Sequence, residues 1–187
     1  MSAPGARGRT PVGCFPGSFD PLTVAHLAIA DAAVEQCGLE RLDLVLSEDA
    51  LGKPSHHHPL DERVAIIRAA SVEGRPWLDA RVTQSRLLAD IAEGYDVLVL
   101  GADKWAQLHD LSFYDSASHR DEALARLPRV VCAPRAGAPT PAGVDELVVP
   151  DWVRGVSSTA VRNGADEWRA VPLGRSGTSL QTRRNPE

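Results

Sequence analysis

The chain has 187 residues, 43% of them hydrophobic and 24% charged, which is enough apolar material for one core and too little length for two full domains. Twenty Lys and Arg against twenty-five Asp and Glu leave a formal net charge of -5, so no global positive field exists to hold a nucleic-acid backbone or an anionic membrane. Cys14, Cys37 and Cys132 are odd in number and widely spaced in apolar runs, which argues for a reducing, cytoplasmic setting over a disulfide scaffold; no apolar run reaches membrane-spanning length.

Residues 1–10 and 174–187 bury little and are expected to be loose ends around one domain at 11–173. Within it, short aliphatic or β-branched runs predict strands at Val12–Phe15, Leu42–Leu46, Leu78–Val82, Asp96–Leu100, Val130–Ala133 and Leu147–Val149. Helical spacing predicts helices over His26–Cys37, with Gly38 as its cap, over Leu60–Val72, over Ser85–Glu93, and over His119–Leu127, stopped by Pro128. Alternation of strand and helix implies an α/β fold, a Rossmann-like, doubly wound parallel sheet in a single domain. Ligands in such a sheet bind beyond the carboxyl ends of the strands, where the strand order reverses.

The loop after the first strand runs Pro16-Gly17-Ser18-Phe19-Asp20-Pro21-Leu22-Thr23-Val24-Ala25-His26. Gly17 lets a ligand approach the backbone, and Pro21 stiffens the turn. Thr23 and His26 lie three apart at a helix start, on one face and near the positive end of its dipole, where both can donate to one phosphate. Near the far end, Val156-Ser157-Ser158-Thr159-Ala160-Val161-Arg162 offers two serine hydroxyls, a helix start and a guanidinium one turn later, a second anion-binding set.

The first run resembles the signature of the nucleotidylyltransferase superfamily, Gly-x-Phe-Asp-Pro-x-(His or Thr)-x-x-His, and the second is similar to its Ile-Ser-Ser-Thr-x-Ile-Arg element. The resemblance implies transfer of a nucleoside monophosphate, AMP from ATP, to a small phosphate-bearing acceptor with release of pyrophosphate. It implies catalytic roles for Thr23, His26, Lys53 and Arg162, and nucleotide contacts from Gly17, Ser18, Phe19, His26, Gly101, Asp103, Ser157, Ser158, Thr159 and Arg162. No protein nucleophile is needed. Mg²⁺ is the expected cofactor, held mainly by the substrate phosphates, and no protein ligand is assigned to it. Lys53 follows the second strand and is either a phosphate neutraliser or a solvated loop residue. The neighbouring His56-His57-His58 is expected to be a partly solvated loop, because adjacent side chains cannot converge on one ion.

The acceptor signals diverge. Thr23 in the first histidine position, Lys53-Pro54 and Leu60-Asp61-Glu62-Arg63-Val64 resemble the phosphopantetheine adenylyltransferases. Gly101-x-Asp103, the strand ending in Arg135-Ala136-Gly137, and Pro150-Asp151-Trp152-Val153 resemble the nicotinate/nicotinamide mononucleotide adenylyltransferases, which implies acceptor contacts from Lys53, Asp103 and Trp105. Trp105 is either a stacking surface for a pyridine ring or an anchor on the sheet edge; Asp103 either accepts from ribose hydroxyls or caps a helix. The leading expectation is a pyridine mononucleotide acceptor in NAD biosynthesis, with phosphopantetheine, a cytidylyltransferase and a non-catalytic nucleotide sensor as the alternatives. Self-association is left open. A dehydrogenase is disfavoured, because Gly-x-Gly-x-x-Gly is missing after the first strand.

Overall fold

A computed structural model describes residues 9–48 and 58–170. Its sheet has six strands, β1 (Val12–Pro16), β2 (Arg41–Ser47), β3 (Leu78–Thr83), β4 (Val97–Gly101), β5 (Arg129–Ala133) and β6 (Asp145–Glu146). They lie in the order β3-β2-β1-β4-β5-β6, and every pairing is parallel. The helices are α1 (Val24–Cys37), α2 (Leu60–Val72), α3 (Leu88–Ile91), α4 (Ala102–His109), α5 (Ala117–Ala125) and α6 (Ser158–Arg162). No helix among the described residues is long and apolar enough to cross a membrane.

The period-two alternation of the strands sorts their side chains to two faces. Phe15, Leu42, Leu44, Leu46, Leu78, Val97, Val99 and Val131 join one buried cluster with Ala25, Ile29 and Ala33 of α1 and Val64 and Ile67 of α2. Cys14, Val45, Leu98, Leu100 and Cys132 face the other way and pack with Ile91 of α3 and Leu108 of α4. Small alanines at 25, 30 and 33, all almost fully buried, let α1 lie close to the sheet. Of the apolar residues Leu27, Ala30, Val34 and Cys37, whose spacing predicts α1, Ala30 is fully buried and the other three are only partly so, because the face seated on the sheet also carries Ala25, Ile29 and Ala33.

β1 and β4 carry the strand-order reversal. Their pairing covers only Gly13↔Val97 and Cys14↔Leu98, whereas β1 stays paired with β2 as far as Pro16↔Val45. The carboxyl end of β1 therefore parts from β4, and a crevice opens at the switch point.

Four boundaries differ from the sequence expectation. The segment predicted as a helix over Ser85–Glu93 forms one only over Leu88–Ile91, because the Ser85 N–H and C=O are held by Thr83 Oγ1 (3.1 Å) and Ser47 Oγ (2.8 Å) outside any helix. Helix α4, not anticipated, starts immediately after β4, so Asp103 and Trp105 sit in a helix and not in a loop. α5 starts two residues before the expected His119, where the Ser116 hydroxyl accepts from the His119 N–H (3.1 Å), and it ends at Ala125, ahead of Leu127 and Pro128. The last strand is Asp145–Glu146; beyond Leu147 the Gln36 amide takes both the N–H and the C=O of Val148 (3.0 and 2.7 Å), ending the ladder.

Candidate active site

A cleft of about 360 Å³ lies over the crevice. Gly17, Ser18 and Phe19 from the β1 loop and His26 from α1 line one part of it. Ser157, Ser158, Thr159 and Arg162 line it from the α6 end of the chain. Gly101, Asp103, Lys104 and Gln107 enter from the end of β4 and from α4, Arg135 from beyond β5, Ser47 from the end of β2 and Arg86 from beyond β3.

Thr23 is the N-cap of α1, in extended backbone, and His26 is the third residue of the helix. The pair closes a reciprocal cap: the Thr23 hydroxyl accepts from the His26 N–H (3.3 Å), and the Thr23 N–H donates to His26 Nδ1 (3.1 Å). A backbone N–H can only donate, so Nδ1 is the acceptor nitrogen and the proton of the neutral ring sits on Nε2. Phe19 and Phe15 meet the imidazole edge-on at centroid distances of 5.1 and 6.2 Å, fixing its plane. Thr23 is wholly buried and stands behind His26; it orients the imidazole and does not line the cleft itself.

The two distant signatures meet at the Asp20-Pro21 backbone. Ser158 Oγ donates to the Pro21 carbonyl at 2.9 Å, and Arg162 Nη1 donates to the Asp20 carbonyl while its Nη2 donates to Thr159 Oγ1 at 3.0 Å. Each of those guanidinium nitrogens carries a second hydrogen, so the anchored Arg162 still has donors for an anion in the cleft it lines. The Ser157 hydroxyl accepts from the Ala160 N–H (3.0 Å), which leaves its own proton as a donor.

A buried arginine, not anticipated as a site residue, fixes the same loop from below. Arg63 on α2 is 4% exposed, and its Nη1 donates to the Ser18 carbonyl at 2.8 Å. Burial lowers the proton affinity of this guanidinium and the nearby Asp20 carboxylate pushes it back up. Asp20, itself 2% exposed, also holds His58 Nδ1 at 2.6 Å from its Oδ1, so of the histidine run His58 is tied to the loop after β1. Lys53, His56 and His57 lie outside the described residues.

Asp103 lines the cleft from the first turn of α4, next to Gly101, where an added Cβ would meet Asp103 Oδ1 at 2.5 Å. Trp105 is absent from the cleft lining: it packs on the second core cluster and lies 5.0 Å from the His109 ring, an anchoring position. The lining also contains Arg86, Lys104, Gln107 and Arg135, to which the sequence reading gave no role. Arg135 and Lys104 had a signal, since each follows a strand end by a few residues; Arg86 was hidden by the helical pattern read over its segment.

A parallel sheet with a 3-2-1-4-5-6 order, a histidine at the first helix and a serine-arginine element returning to it define a nucleotidyltransferase-type α/β domain, and the cytidylyltransferase-like family model matches residues 14–164. The chain belongs to that family. A protein of Thermus thermophilus named probable nicotinate-nucleotide adenylyltransferase is 31% identical over 176 residues, covering 86% of this chain and 89% of its own. This chain thereby belongs with the nicotinate-nucleotide adenylyltransferases. A like-named protein of Roseobacter denitrificans is 35% identical over 118 residues, 57% of this chain and 58% of that one. The fold is shared with the nicotinic acid mononucleotide adenylyltransferase of Plasmodium falciparum solved with NaAD, at a TM-score of 0.60, 12% identity and 83% coverage of both chains.

Proposed function

We propose that the protein joins ATP and nicotinate mononucleotide: a phosphate oxygen of the mononucleotide attacks the α-phosphorus of ATP in line, the bond from that phosphorus to the bridging oxygen breaks, and pyrophosphate leaves. The observation that carries this reading is the meeting of His26 with Ser157, Ser158 and Arg162 on one cleft at the switch point. Nothing in the transfer needs a protein nucleophile; it needs two anions aligned and the added charge stabilised. His26, with Nδ1 occupied from behind, presents Nε2–H to the α-phosphate as it becomes five-coordinate. Ser157 and Arg162 hold the departing phosphates, and Asp103 accepts from a ribose hydroxyl.

Mg²⁺ belongs to this proposal as part of the nucleotide. Among the described residues, Asp103 is the one carboxylate lining the cleft, and no group of three or more potential ligands occurs. That donor set suits an ion held by phosphate oxygens and water, where it neutralises phosphate charge. The three free cysteines support a cytoplasmic setting for the same reading.

The test is pyrophosphate release from purified protein with Mg²⁺ and either ATP or CTP, against nicotinate mononucleotide, nicotinamide mononucleotide and phosphopantetheine in turn. Release with ATP and nicotinate mononucleotide is expected. Turnover of phosphopantetheine alone, or ATP binding with no turnover of any acceptor, overturns the proposal.

A further inference from the structure

Two arginines from distant helices hold the loop after β1 by its carbonyls, and the residue between those carbonyls has a backbone conformation that needs holding. Arg63 of α2 donates from Nη1 to the Ser18 carbonyl at 2.8 Å, and Arg162 of α6 donates to the Asp20 carbonyl. Phe19, between them, has a φ of 46°, in the left-handed region that a bulky side chain rarely enters. Such a conformation persists only where its surroundings enforce it.

Stability does not account for Arg63. The residue is 4% exposed, and among the described residues its Nε is a buried nitrogen with no hydrogen-bond partner. An apolar side chain of similar length would fill the space without stranding a donor. Nor does Arg63 touch a ligand, because it is absent from the cleft lining to which Ser18 and Phe19 both belong. It can act on the reaction only through the peptide group that it holds.

We propose that Arg63 is a positioning residue for the transfer: by fixing the Ser18 carbonyl on the α2 side it turns the Phe19 N–H to the cleft, where that donor meets a nucleotide phosphate beside His26. The inference rests on the ATP chemistry proposed above and not on which acceptor takes the AMP. The Ser18–Phe19 peptide is trans, so its C=O and N–H point in opposite directions. Phe19 is 2% exposed, yet its N–H donates to no acceptor among the described residues. A buried N–H without a partner is rare in a folded protein, and a ligand oxygen in the cleft satisfies this one. The phosphate oxygens gain charge as the α-phosphorus becomes five-coordinate, so a donor fixed in advance favours the transition state over the ground state. Without Arg63 the peptide is free to flip, which relieves the positive φ of Phe19 and turns the N–H away.

The experiment joins the kinetics of Arg63→Met and Arg63→Lys to the NMR signal of the Phe19 amide in isotope-labelled protein. On titration of the wild type with α,β-methylene-ATP and Mg²⁺, the Phe19 amide proton is expected to move downfield as a phosphate oxygen accepts from it. Arg63→Met should lose that response and lower kcat about 30-fold, less than outright removal of an oxyanion donor because the N–H still visits the cleft, with KM for ATP changed far less. Arg63→Lys keeps a charge and one donor and should recover part of both effects. A wild-type kcat and an unchanged amide response in the folded variants, or in Arg63→Lys alone if Arg63→Met does not fold, mark a purely structural arginine and overturn this inference while the function stands. A wild-type Phe19 amide that ignores the bound nucleotide overturns it as well. A wild type that neither binds the analogue nor releases pyrophosphate from ATP with any acceptor overturns the function proposed above and this inference with it.

Discussion

The Thr23 hydroxyl stands 2.9 Å from Nδ1 of His26, and the Thr23 backbone N–H reaches the same nitrogen at 3.1 Å. A threonine in this position therefore works through the histidine: it fixes the tautomer and plane of the ring that faces the cleft. Thr23→Val keeps the shape and the backbone bond but removes the hydroxyl, and should lower kcat about tenfold, the worth of one hydrogen bond. Loss of the cap should also cost about 1 kcal/mol of stability. Thr23→Ser should restore both, and His26→Ala should cost about 10²–10³ in kcat, as for other oxyanion donors. Steady-state kinetics with ATP and the acceptor, together with thermal melts, check the set; a Thr23→Val enzyme as fast as wild type refutes the positioning role.

Arg162 does two jobs at once, because it donates to the Asp20 carbonyl and to Thr159 Oγ1 while lining the cleft. Arg162→Lys retains a positive charge and loses the fork that serves both ends. The expected result is a fall in kcat of about a hundredfold, as for removal of a transition-state donor, with a lower melting temperature, since the β1 loop loses one of its ties to α6. A lysine enzyme with normal kcat shows that point charge alone suffices there.

Much of this was legible in the sequence, and the exceptions have physical causes. Five of the six strands fall within a residue or so of the apolar runs that predicted them, because the inner strands are covered on both faces and are mostly aliphatic, while the edge strand β3 still buries Leu78 and Ala80. His26, Ser158 and Arg162 were legible from local spacing, but the meeting of Ser158 with Pro21 and of Arg162 with Asp20, across more than 130 residues, is a property of the sheet order. Helix α4 was missed because its sequence, Ala102-Asp103-Lys104-Trp105-Ala106-Gln107-Leu108-His109, buries only Ala102 and Leu108, too few residues to give a periodic signal. Trp105 was drawn toward the ligand by its neighbours in sequence, while the turn of that helix sends it to the second core. Arg63 stood in the sequence only within the run Leu60-Asp61-Glu62-Arg63-Val64 and was given no role, because a buried cation reads as a surface residue of an amphipathic helix until its partners, the Ser18 carbonyl and the Asp20 charge, are placed.

Gly17 is held to glycine by contact, not by its own dihedral. A Cβ there would lie 2.7 Å from the tip of the Phe19 ring, and that ring packs edge-on against both Phe15 and His26. Gly17→Ala must displace Phe19, a fully buried side chain, and overpacking of this kind costs about 1–3 kcal/mol. The same displacement tilts the imidazole, so kcat should fall further than the stability loss alone accounts for. Melting curves and kinetics on the purified variant check this; an alanine enzyme with wild-type stability and rate shows that Phe19 can yield without moving His26.

The face of the sheet opposite α1 contains acids that resist ionisation, and they set the behaviour of the fold in alkali. Burial pushes the Cys132 thiol up to about 11 from its ordinary 9.0, and it raises Cys14 further, with the Asp43 charge adding to the effect. Tyr95 is raised by burial and then by its own hydrogen bond, 2.8 Å long, to the fully buried Asp43 carboxylate. A raised folded-state value means that the native protein keeps protons that the unfolded chain releases, so these groups contribute their full stability below pH 9 and lose it as the pH climbs toward their folded values. Each group steepens the loss by about 1.4 kcal/mol per pH unit across its window. Denaturant titrations at pH 8, 9, 10 and 10.5 should show stability flat to about pH 9 and falling beyond it. Cys132→Ala should make the fall shallower and cost little at pH 8, since the thiol is a small apolar group in its pocket. A stability that holds level to pH 10.5 means that these thiols and the Tyr95 hydroxyl meet water in the folded protein.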